Sequence, residues 1–164
     1  MRRFLATIAM AVLGAVALAQ AAGAAQPIKE TFSFTATAEL SNVCSFPVTV
    51  NATGSGFDML FFDQNGNIAG VQVHQVEQDV FSANGNTLVG LPYVFNQQVT
   101  FDSEGHVTHV YANGLVSRVP LPGGDLFLTA GRLDYFAHPG ESFLLQPDVG
   151  AQGNIAGFCA ALSA

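Results

Sequence analysis

The run VQVHQVEQDVF places two carboxylates, Glu77 and Asp79, two residues apart. On an extended strand that spacing puts both on one face, where a carboxylate pair can act on one substrate or hold one cation. On a solvated edge the same charges discourage pairing with other chains, and this is the reading the sequence favours. In GDLFLTAGRLDYF, Arg132 and Asp134 have the same spacing inside an apolar and aromatic run. A guanidinium there would either anchor a polar ligand group in an interior or satisfy itself on Asp134, and the structural pairing is favoured. His106 and His109 are three apart, which on a strand points them to opposite faces and separates them as metal ligands. DQNGN, Asp63 to Asn67, opens like a calcium loop but lacks the twelve-residue spacing and terminal acid of one, and a hairpin turn accounts for it. Gly140-Glu141-Ser142 begins like a nucleophile elbow, but Leu144 stands where the second glycine belongs. No metal, no cofactor and no catalytic residue is expected from these patterns.

The elements that must position these residues follow from a period of two. In YVFNQQVTF, Tyr93, Phe95, Val99 and Phe101 share one face, interrupted by Gln97, against Val94, Asn96, Gln98 and Thr100. IKETFSFTATAEL sets Phe32, Phe34, Ala36, Ala38 and Leu40 against Thr31, Ser33, Thr35 and Thr37. Both read as half-buried strands. GFDMLFF and DLFLTAG carry large apolar groups on both faces and so ask for two covered sides, or for a place in a cavity wall. In VQVHQVEQDVF the apolar phase switches between Val73 and Val76, and a bulge there would restore an inward face. Asn65-Gly66, Asn84-Gly85, Ser103-Glu104-Gly105, Asn113-Gly114, Pro122-Gly123-Gly124 and Pro139-Gly140 punctuate the chain as turns. The expected fold is all-β: an antiparallel β-barrel of about 8–10 strands, with a β-sandwich as the alternative. One short helix is expected at Ala156–Leu162.

The N-terminus reads as an export signal. Arg2 and Arg3 precede an Ala/Val/Leu/Ile run that ends in the small residues Ala22-Gly23-Ala24-Ala25. Cleavage after Ala24 or Ala25 would leave residues 1–25 as a signal peptide and 26–164 as a single β domain, secreted and with no membrane span. Cleavage would remove two of the five Lys/Arg and none of the twelve Asp/Glu, leaving a formal charge of −9. Lys29, Arg118 and Arg132 are then the only strong cations, too few for a nucleic-acid stripe. The 139 residues that remain suffice for one domain with a real core.

Cys44 and Cys159 are the only two cysteines, 115 positions apart. In an exported chain an even pair reads as one disulfide, and a loop that long corresponds to about 4 to 5 kcal/mol in the chain-entropy model.

VPLPGGDLFLTAGRLDYF, taken with NVCSFPVTV and GFCAALSA, resembles a group of small exported proteins from high-GC Gram-positive bacteria, each with one early and one very late cysteine. The resemblance spans most of residues 26–164. It implies export and an all-β domain, and carries over no catalytic residue. The function expected from the residues is non-catalytic binding of a small apolar or amphipathic ligand inside the barrel, with Tyr93, Phe95, Phe101, Phe127 and Tyr135 as wall residues and Arg132 as a polar anchor. The alternatives are an extracellular protein-interaction module and a barrel enzyme with a polar lumen around Arg132.

Overall fold

The structure is a computed structural model that describes residues 26–141 and 143–163. The expected signal peptide, residues 1–25, and Ser142 of the elbow-like stretch lie outside the described residues. Among the described residues eight strands form one antiparallel sheet: β1 (Ile28–Leu40), β2 (Val48–Phe62), β3 (Ile68–Ala83), β4 (Asn86–Val89), β5 (Tyr93–Phe101), β6 (Val107–Pro120), β7 (Leu126–Asp134) and β8 (Val149–Ala151). They lie in the order β1-β2-β3-β5-β6-β7-β8, with β4 paired to β3. A helix, α1 (Ile155–Leu162), follows.

The antiparallel all-β expectation holds. The sheet is open, with β1 at one edge and β8 at the other. In place of barrel closure or a second sheet, α1, Tyr135 and residues 143–145 cover part of one face. The second face that GFDMLFF and DLFLTAG asked for is therefore an outer surface. No helix among the described residues is long and apolar enough to cross a membrane.

Register shows how the strands sort their side chains. Val50 of β2 pairs with Phe81, Leu60 with Val71, and Gly54 with Glu77. Glu77 in turn pairs with Tyr93 of β5, and Gln75 with Phe95. Directly opposed residues share a face, so Val71, Val73, Gln75, Glu77, Asp79 and Phe81 all point inward. The bulge expected between Val73 and Val76 is absent, and the one register shift of this pair falls at Phe61/Phe62. A straight register keeps Val71 and Phe81 buried and Val73 half-buried. It leaves Val76 exposed and turns three polar side chains inward.

The turns follow local chemistry. Asp63 Oδ1 accepts the backbone N–H of Asn65 and Asn67, each at 2.8 Å. Asp102 Oδ1 treats Glu104 and His106 identically at 2.9 Å. These N–H bonds hold both carboxyls below the usual carboxylate range. Asp63 is thus a turn residue. Asn84-Gly85 has both dihedrals positive, φ 51° and 81°, as a two-residue hairpin requires. Asn113-Gly114 departs from expectation, because it lies inside β6. Gly114, at φ 118°, takes a backbone shape open to glycine. Residues 111–114 pair with β5 on one side and β7 on the other, and a shift in the β7 register follows between Leu115 and Ser117, so β6 runs on without turning back.

The main core forms where α1 lies on the sheet. Leu40, Val48, Val50, Phe81, Leu88, Val119, Leu121, Phe127, Leu145, Phe158 and Leu162 pack together. The Phe158 ring stands edge-on to Phe81 at 5.1 Å and 4.8 Å from Phe127. Asn154 caps the helix by accepting the Gly157 N–H at 2.9 Å, and the Cys44–Cys159 disulfide ties the β1–β2 loop to it. Removing the fully buried Phe158 ring leaves a cavity between three elements. Phe158→Ala is expected to cost about 3 to 5 kcal/mol in urea denaturation, and a loss under about 1 kcal/mol would show that α1 does not hold the core.

Candidate functional site

Of the six residues expected to line a ligand cavity, Tyr93, Phe95 and Tyr135 come together and Phe101, Phe127 and Arg132 lie apart from them. Phe127 belongs to the core under α1. Tyr93 and Phe95 form a second cluster with Ala112, Val116, Leu133 and Leu144, against which Tyr135 packs. Phe101 is half-buried at the far end of β5. Arg132 is exposed on the opposite, outer face, its guanidinium 4.0 Å from the centre of the Tyr111 ring. Asp134 instead accepts the backbone N–H of Phe136 at 3.0 Å. His109 shares the outer face and stacks on Tyr111 at 5.2 Å, while His106 sits in its turn beside Asp102. Among the described residues no group of three His, Cys, Asp or Glu could hold a metal ion.

Between the two clusters the interior is polar. Gln75, Glu77 and Asp79 are 8%, 6% and 1% exposed, which corrects the solvated-edge reading of the two acids. The Gln75 amide donates to Glu77 at 2.6 Å, and the Tyr93 hydroxyl donates to Asp79 at 2.8 Å. Two carboxyls so close and so dry do not both ionise. Loss of solvent, then the charge of Glu77, pushes Asp79 up to about 8. Burial also raises Glu77. The tyrosines Tyr93 and Tyr135 rise for the same first reason, with the two acids adding to it. The arrangement is a protonated Asp79 beside Glu77, sealed in the core, with Asp79 Oδ1 left without a hydrogen-bond partner among the described residues.

The outer face carries the concave surface. Two open depressions, about 320 and 240 Å³, share Gln72 and Gln98 and form one furrow along the β3–β5 seam. Its floor comprises Gly70, Gln72 and His74 of β3 with Asn96, Gln98 and Thr100 of β5, and Phe57, Met59 and Phe61 of β2 form one bank. Register sets the rows: Phe57–His74–Asn96–Asn113 and Met59–Gln72–Gln98–Tyr111. His74 Nδ1 and Asn96 Oδ1 are hydrogen-bonded across the seam at 2.7 Å. At the rims Lys29 lies 3.9 Å over Phe57, and Arg132 covers Tyr111.

No protein-family model, curated protein or solved structure matches this chain.

Sequence reasoning passed over this furrow because it gave the two apolar faces of GFDMLFF to two covered sides or to a cavity wall. The available clue was that alternate positions of VQVHQ and FNQQVT carry amides.

Proposed function

We propose that this chain is an exported, non-catalytic binding module whose working surface is the outer face of its sheet. The observation that carries the reading is the furrow along β3 and β5, where uncharged hydrogen-bonding side chains face an apolar bank. A preformed concavity with few, oriented polar groups suits recognition. The packed interior favours this face over the chamber for an apolar ligand, since Tyr93, Phe95 and Phe127 are spent on two clusters. Export is supported by the disulfide and by the N-terminal pattern. Closure of the sheet into a barrel is not needed for a site on its outside.

The reading is tested by titrating fatty acids, oligosaccharides and peptides against the wild type and against Asn96→Arg, which lays a long side chain across the furrow floor. Thermal melts establish that the variant is folded. Binding that disappears in Asn96→Arg is the expected result. Binding that persists unchanged, or a saturable fatty-acid response in both proteins, would place the site elsewhere.

A further inference from the structure

We infer that the furrow takes a neutral polyhydroxylated chain, a polysaccharide without ionised groups. This ligand class deepens the binding-module reading above and rests on it.

Charge narrows the ligand first. No Asp, Glu, Lys or Arg lines either depression, although the chain carries twelve acids and a net charge of −7. The nearest cations, Lys29 and Arg132, lie over the rings of Phe57 and Tyr111. A floor without charges offers an ionic ligand nothing to replace its hydration. It offers amides, each with donors and an acceptor, and a hydroxyl both donates and accepts.

Shape narrows it further. A sugar ring has an apolar C–H side and a rim of hydroxyls, and the furrow has the corresponding halves. Phe57, Met59 and Phe61 stand at successive outward positions on β2, while Gln72, Asn96, Gln98, Thr100 and Asn113 face them. From His74 to Gly70 the seam runs four residue steps, about 13 Å at strand rise, so the ligand lies along it as an extended chain. Gly70 has no side chain to block that end.

Other polymers fit less well. An extended peptide gains its affinity from unpaired strand edges, but the backbones of β3 and β5 are paired to each other along the furrow. A folded protein surface wants an apolar centre with a polar rim, whereas here Gln72 and Gln98 lie where the two depressions meet.

Affinity electrophoresis of the folded protein tests this directly. The probes are hydroxyethylcellulose, mixed-linkage glucan, galactomannan, arabinoxylan and dextran, with alginate and polygalacturonate as acidic polymers. At least one neutral polysaccharide should retard the protein, equally in low and high salt. The double variant Asn96→Ala/Asn113→Ala, folded by its melting curve, should bind at least about tenfold more weakly. Three results would each overturn the inference: no retardation by any neutral polymer, retardation by the acidic polymers alone that is lost in salt, or retardation unchanged in the double variant. If the glycans fail while a peptide still binds in a manner abolished by Asn96→Arg, the ligand class is wrong and the surface stands. If Asn96→Arg abolishes nothing, both are wrong.

Discussion

Folding stability is expected to fall as pH rises from about 4 to about 8, with a large part of that fall removed by Asp79→Asn. In the folded chain Asp79 keeps its proton up to about 8, while its ordinary value is 3.8. Between those values the unfolded chain has lost a proton that the folded chain retains, so each rise in pH favours unfolding. The contribution of Asp79 is most favourable below the lower value, declines across the window and levels off above the upper one. A pH unit is worth on the order of 1 kcal/mol, so the whole window amounts to several. The raised values of Glu77 and Asp58 act in the same direction. So does His138, held protonated by its hydrogen bond to Asp148, whose benefit is lost as pH climbs above the usual histidine range. Asp63, Asp102 and Asp148 are shifted downward, and their contributions are lost only as pH falls below 3.8. Asparagine at position 79 keeps an oxygen for the Tyr93 hydroxyl and the shape of the neutral acid, so it stands in for that acid without its titration. Urea midpoints at pH 4, 6 and 8 should decline in the wild type and change much less in the variant. A wild-type midpoint that climbs over the same range would contradict a sealed, protonated Asp79.

Opening the Cys44–Cys159 bond should produce the other large effect. The bond closes a separation of 115 residues, and releasing such a loop in the unfolded chain corresponds to about 4 to 5 kcal/mol in the chain-entropy model. Its place adds to the consequence. It fastens α1 to the β1–β2 loop, and Phe158, next to Cys159 in the helix, seals Phe81 and Phe127. Reduced protein, with both thiols verified by alkylation and mass, is expected to melt on the order of 10 °C lower and to bind apolar dyes below that temperature. An unshifted melt in fully reduced protein would mean that the sheet holds α1 without the bond.

Sequence patterning carried the fold further than the site. Alternation in β1 and β5, the Asn84-Gly85 hairpin and the cysteine pair were all legible because each depends on neighbours along the chain. The Asn113-Gly114 dipeptide was misleading for the same reason: its chemistry allows a hairpin turn, but pairing of β6 on both sides keeps it in a strand. Glu77 and Asp79 were placed on one face, and their burial was missed, because a polar run in the middle of an inward face becomes visible only when the flanking strands fix the register. Arg132 stood in an apolar run, and one position in the alternation decided whether it faced in or out. The furrow needed residues from β2, β3, β5 and β6 in one register, which no local window contains.

An amide chemical-shift map of the ¹⁵N-labelled protein, titrated separately with a neutral oligosaccharide and a fatty acid, tests the placement of the site most directly. The account predicts that the oligosaccharide moves the resonances of Phe57, Gln72, His74, Asn96, Gln98 and Asn113 and leaves those of Tyr93, Phe95 and Leu133 in place. Saturable shifts concentrated on Tyr93, Phe95, Leu133 and Leu144, produced by the fatty acid with the furrow silent, would contradict it.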